Sequence, residues 1–177
     1  MSSDKLQRLR RLADEHDHAV YEAVKAGKVS ELSHEGQLQA RAIEEHLNLP
    51  GVHNALEFAD VRDGQPFEME HEGQLLSPLA HITLHAAVLN MLEDDGDVRA
   101  AFESLTQEKA VSQHHAIHIL GGLLLSFAWV GHHGRTGLEK DDCDVLERDF
   151  GHALKRICRD ADFRRKVIQK FPASHWE

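Results

Sequence analysis

The segment QHHAIHILGGLLLSFAWV, residues 113–130, constrains the fold of this chain more than any other, because a run this apolar on every side must be covered by the rest of the protein. Ser112 stands in the N-cap position ahead of it and marks a helix start. Its most apolar part, Ile117 to Val130, is about 14 residues and includes Gly121, Gly122 and Ser126. A membrane span needs roughly 20 residues, so this segment reads as a core helix of a globular protein.

The cover is helical as well. Residues 4–26 hold good helix formers, with Leu6, Leu9, Leu12 and Ala13 near one stripe and Gly27 as a stop. Ser30 or Ser33 caps EGQLQARAIEEHLNL, in which Leu38, Ala42, Ile43 and Leu47 recur at helical spacing until Pro50 and Gly51. Ser77 and Pro78 form a cap and first-turn pair before LAHITLHAAVLNMLED, which runs to the turn at Asp94 to Asp97. VRAAFESLTQEKA follows as a shorter helix, and GHHGRTG at 131–137 reads as a loop. A helix over LEKDDCDVLERDFGHALKRICRD buries Leu138, Val145, Leu146, Phe150, Leu154 and Ile157, and ADFRRKVIQKF continues after a bend. Residues 52–77 break this pattern. There Phe67, Met69 and His71 alternate with Glu68, Glu70 and Glu72 between Gly64 and Gly73, the signature of a short extended or hairpin segment. The expected fold is an all-α bundle, one domain over 1–177, with five to seven helices and an irregular or short hairpin segment near 52–77.

Charge narrows the function classes. Thirty acidic against twenty basic residues leave a net charge of −10, which argues against nucleic acid and against an anionic membrane as partners. The locally basic KRICRDADFRRK reads as a solvated helix face. The N-terminus is charged from the start and lacks the apolar core of a signal peptide. Cys143 and Cys158 are too few for a disulfide framework and fit a reducing compartment, so a cytoplasmic location is expected.

What stands out is histidine, fifteen residues dispersed along the chain. Two expected helices carry histidines four apart: His81 and His85 in AHITLHAA, and His114 and His118 in QHHAIHIL. On a helix, positions i and i+4 project from one face, so each pair presents two imidazoles to one point, which is metal-ligand spacing. Each stripe continues into apolar residues at matching offsets, Val88 and Leu92 in one helix, Gly121 and Leu125 in the other. That continuation points the histidine ends inward. A short helix returning the chain between the two would set them running in the same direction, with Gly121 and Gly122 allowing close approach below the histidines. Four imidazoles suit a transition metal, zinc or non-haem iron ahead of nickel and copper, and not calcium or magnesium. His16, His18, His46, His132, His133, His152 and His175 have surface-like settings and are left out of the site.

Neighbouring patterns find less support. HHAIH borders on the zinc-peptidase string HExxH but places His115 where that mechanism needs its glutamate base. The strings ELSHEGQL at 31–38 and EMEHEGQL at 68–75 echo each other. A di-metal role for Glu31/His34 and Glu68/His71 would need both copies on helices. No phosphate-binding glycine loop and no GxSxG elbow is present.

Together SPLAHITLH and HHAIHILG resemble a family of short bacterial helical proteins, a domain of unknown function with an NPxLHxxLH string followed some thirty residues later by HEAIHxxG. The resemblance rests on Pro78, His81, Ile82, Thr83, Leu84 and His85, then His114, Ala116, Ile117, His118 and Gly121. The chain departs from it at Ser77, where relatives carry asparagine, and at His115, where they carry glutamate. It implies importance for the four histidines and supplies no activity. The leading expectation is therefore a metal-binding helical protein using His81, His85, His114 and His118. The competing one, from another class, is a metal-free helical interaction or oligomerisation module, in which the apolar helix packs internally or in a homo-oligomer.

Overall fold

The computed structural model describes residues 3–49, 51–59, 67–71, 74–132 and 140–172. Among these, eight α-helices, one 3-10 turn and one two-stranded hairpin follow each other along the chain. The chain divides into two compact units, Met1–Ala87 and Val88–Glu177.

In the first unit, α1 (Ser3–Lys25) ends where Gly27 takes a positive φ of 67° and the Lys28 N–H closes back on the Ala23 carbonyl. Only glycine adopts that backbone without strain. A 3-10 turn (Val29–Glu31) leads to α2 (His34–His46), capped by Ser33, whose Oγ accepts from the Gly36 N–H at 3.2 Å. Next comes α3 (Val52–Glu57), a helix placed where sequence reading expects irregular or extended chain. Gly51, at φ 78°, starts it, and Val52, Ala55 and Leu56 bury one side. The second half of the irregular stretch is the expected hairpin: β1 (Met69–His71) pairs antiparallel with β2 (Gln74–Leu76), Met69 opposite Leu76. Val20, Tyr21, Leu38, Ala42, Ile43, Val52, Leu56 and Ile82 form the core. Each large aliphatic among them contributes roughly 1.5–3 kcal/mol by leaving water. Polar ties align α1 with its neighbours: Gln39 Nε2 donates to Asp17 Oδ1 at 2.7 Å, and Tyr21 Oη lies 2.7 Å from His53 Nδ1. Burial pushes the Tyr21 hydroxyl pKa up, and the Lys25 ammonium beside Glu57 holds that carboxyl below the usual range.

The boundary between the units falls inside α4 (Pro78–Asp94), one unbroken helix. The second unit continues with α5 (Gly96–Thr106), α6 (Gln113–His132), α7 (Lys140–Arg159) and α8 (Ala161–Lys170). The caps are local and conventional. Asp95 accepts from the Asp97 and Val98 N–H groups, Ser112 Oγ from the His115 N–H at 3.0 Å, and Asp160 from the Phe163 N–H at 2.9 Å. The last of these bonds, with Arg156 beside it, holds the Asp160 carboxyl below its ordinary pKa. Val98, Leu105, Ile119, Leu120, Phe150, Leu154 and Ile157 build this core around the first half of α6, which is buried from His115 to Gly121 and at Leu123, whereas Leu125, expected on the inward stripe, is 56% exposed. Arg164 on α8 fixes the last turn, donating to Glu108 at 2.9 Å and to the Ile157 carbonyl at 2.6 Å. Among the described residues no helix is long and apolar enough to cross a membrane.

Candidate metal centre

In the first unit, two helices bring three imidazoles together. His81 and His85 lie one turn apart on α4, as their spacing requires, with ring centroids 4.9 Å apart. The third ring is His46, the last residue of α2, at 4.6 Å from His81 and 4.3 Å from His85. All three are buried, His46 completely and His81 and His85 to 8% and 1% exposure. A setting that looked like surface is therefore interior, because His46 continues the stripe of Gln39, Ala42 and Ile43, all of them buried. That stripe at i, i+3, i+4 and i+7 was the available signal, and the flanking Glu44 and Glu45 masked it.

The hydrogen bonds assign protons. His46 Nδ1 lies 2.6 Å from the Ala42 carbonyl. A carbonyl only accepts, so this nitrogen carries the proton and donates. Complete burial favours the neutral ring, which leaves His46 Nε2 with a lone pair. His81 Nε2 sits 2.9 Å from it and is thus the N–H donor. For His85, the Nδ1 edge faces Glu45, whose Oε2 is 3.9 Å away while its Oε1 accepts from Arg41 Nε at 3.0 Å. A backbone carbonyl behind one imidazole and a carboxylate near another are what metal-binding histidines use to fix the tautomer and turn the far nitrogen outward.

In the second unit, His114 and His118 lie on the first turns of α6 with ring centroids 4.3 Å apart and planes at 68°. His118 is 8% exposed and His114 is half-buried. Between them in sequence, His115 faces elsewhere. Its Nε2–H donates to the Phe171 carbonyl at 2.6 Å, and its Nδ1 is buried with no hydrogen-bond partner among the described residues. The residue standing where a zinc peptidase keeps its base is spent on holding the end of α8. The same contact explains Gly122, because a Cβ there would fall 2.6 Å from a Phe171 ring carbon.

Half-buried His18 pairs its Nδ1 with the Leu56 carbonyl at 3.0 Å, while His16 and His152 are exposed. His133 and His175 lie outside the described residues, as does most of the expected loop at 131–137. The echoed strings take different structures. Glu31 ends the 3-10 turn and His34 starts α2, whereas the second copy enters the hairpin, so the two-helix arrangement that an ExxH pair of metal ligands needs is not formed. The chain matches no protein-family model, no curated protein and no solved structure.

Proposed function

We propose that this chain is a metal-binding helical protein in which His46, His85, His114 and His118 hold one transition-metal ion. One observation carries the reading: within each unit two of these imidazoles converge, His46 and His85 with ring centroids 4.3 Å apart and His114 and His118 also 4.3 Å apart. The set keeps three of the four residues that helical spacing singles out and takes His46 in place of His81. In favour of His46, the Ala42 carbonyl fixes its tautomer and leaves Nε2 with the lone pair.

An all-imidazole set favours zinc or non-haem iron over calcium or magnesium, which take oxygen ligands. Nickel and copper rank behind these. The resemblance to helical proteins with paired HxxxH motifs belongs to the same reading, as does a reducing cytoplasmic setting suggested by two isolated cysteines.

An ion bound only by the folded chain stabilises it in proportion to the logarithm of its saturation, about 2.7 kcal/mol at a hundredfold excess over Kd. Imidazole must be unprotonated to coordinate, so this stabilisation is present near neutral pH and is lost as pH falls through about 6. Thermal unfolding of the protein with one equivalent of zinc is expected to shift upward by roughly 5–10 °C at pH 7.5. The shift is expected to vanish with EDTA and at pH 5.5. A melting temperature indifferent to zinc, chelator and mild acid alike contradicts the proposal.

A further inference from the structure

The bond between His81 and His46 bears on how such an ion would be taken up. We propose that His81 is a placeholder, a residue that holds the His46 lone pair through its own N–H and is displaced from it when metal is loaded. The inference rests on the four-histidine reading and adds a residue outside that set.

The protons on the two rings set the constraint. His46 has two ring nitrogens, and Nδ1 is committed to the Ala42 carbonyl at 2.6 Å. Only Nε2 is left to bind an ion, and at 2.9 Å the His81 N–H already occupies that lone pair. One lone pair serves one partner, so coordination by His46 requires the His81 bond to break. His46 cannot rotate to offer Nδ1 instead without giving up its carbonyl partner inside the core, where an unsatisfied group is costly. His81 is the more accessible of the two. It lies in the first turn of α4, held at its backbone by an N–H to the Ser77 carbonyl at 3.1 Å, beside a weak cap in which Ser77 Oγ is 3.4 Å from the Ala80 N–H. His46, by contrast, is fully enclosed, while His81 retains 8% exposure.

The placeholder satisfies a buried lone pair at the centre of the histidine group and so permits the chain to fold around these rings before any ion arrives. It also sets a competition. An ion must exceed the His81 hydrogen bond to gain His46, which lowers the apparent affinity by the strength of that bond. A typical intramolecular hydrogen bond corresponds to about a fivefold factor in an equilibrium constant.

Cobalt(II) titration of the full chain, followed by the visible ligand-field bands, tests this with three variants. His81→Ala removes the competitor. It is expected to bind cobalt at the wild-type stoichiometry, with the same band positions and about fivefold tighter. His81→Gln retains an N–H donor of similar reach and is expected to stay near the wild-type affinity. His85→Ala is expected to lose the bands. Weaker binding in both His81 variants, with displaced bands, would overturn the proposal by showing His81 to be a ligand. Unchanged affinity in His81→Ala would overturn it by showing that the bond offers no competition. Should His81→Ala fail to fold, a His81→Gln variant with weakened binding and displaced bands overturns the placeholder role, and wild-type behaviour upholds it. Wild-type protein that takes up no cobalt, or a His85→Ala variant that binds like wild type, counts against the four-histidine site itself.

Discussion

Replacing His46 by alanine is expected to weaken zinc binding by more than a hundredfold while leaving the helical circular dichroism intact. Removing a group that merely orients a metal ligand costs 10- to 100-fold in affinity, and His46 is proposed as a ligand itself. The substitution also has a metal-independent effect. His46 is completely enclosed and bonded at both ring nitrogens, to the Ala42 carbonyl and to His81. Its loss leaves a cavity and removes both of these bonds, together about 2–5 kcal/mol of folding stability. Unfolding in excess EDTA isolates this second component, and a zinc titration isolates the first. Exposed His16 on α1 is the matched control, for which His16→Ala should change neither. Wild-type zinc affinity in His46→Ala would remove His46 from the ligand set.

The second large effect concerns the end of α8. An alanine at position 122 would place its Cβ 2.6 Å and 2.7 Å from two Phe171 ring carbons. The backbone behind the ring is anchored, because the Phe171 carbonyl accepts from His115 at 2.6 Å and its N–H donates to the Val167 carbonyl at 3.2 Å, so relief must come from the ring's own torsions. Overpacking costs about 1–3 kcal/mol, against roughly 1 kcal/mol that alanine gains over glycine inside a helix. Gly122→Ala is therefore expected to destabilise the protein by about 1 kcal/mol, some 2–4 °C in Tm. In a Phe171→Ala background the clash is absent and only the helix term remains. The same substitution should then stabilise by up to about 1 kcal/mol. This reversal of sign, read by thermal unfolding of the four proteins of the cycle, is the diagnostic result. An equal effect in both backgrounds would show that Phe171 does not contact Gly122.

The elements legible in the sequence were those carried by local chemistry. Ser33, Ser112 and the Ser77–Pro78 pair sit where their helices begin, and Gly27 ends α1 with the left-handed backbone its lack of a side chain permits. The hairpin at 69–76 followed from alternation, and the histidine pairs from helical spacing, because i and i+4 share a face wherever the helix goes. The six-residue helix α3 was not legible, since Val52, Ala55 and Leu56 give less than two turns of periodic signal behind a glycine. His46 was missed for a different reason. Its burial was legible only in the stripe of Gln39, Ala42 and Ile43 behind Glu44 and Glu45, and its partners, 35 residues away at His81 and farther at His85, leave no trace in local spacing. His115 shows the converse, where adjacency to a motif suggested chemistry and the ring instead holds the Phe171 carbonyl.

Elemental analysis of untagged protein, purified with neither added metal nor chelator, addresses the metal centre most directly when run beside the His85→Ala/His118→Ala double variant. Close to one equivalent of zinc or iron per chain is expected in the wild type and none in the variant, with the helical content of both the same. Absence of any metal from the wild type, or retention of the same amount by the variant, would contradict the four-histidine site.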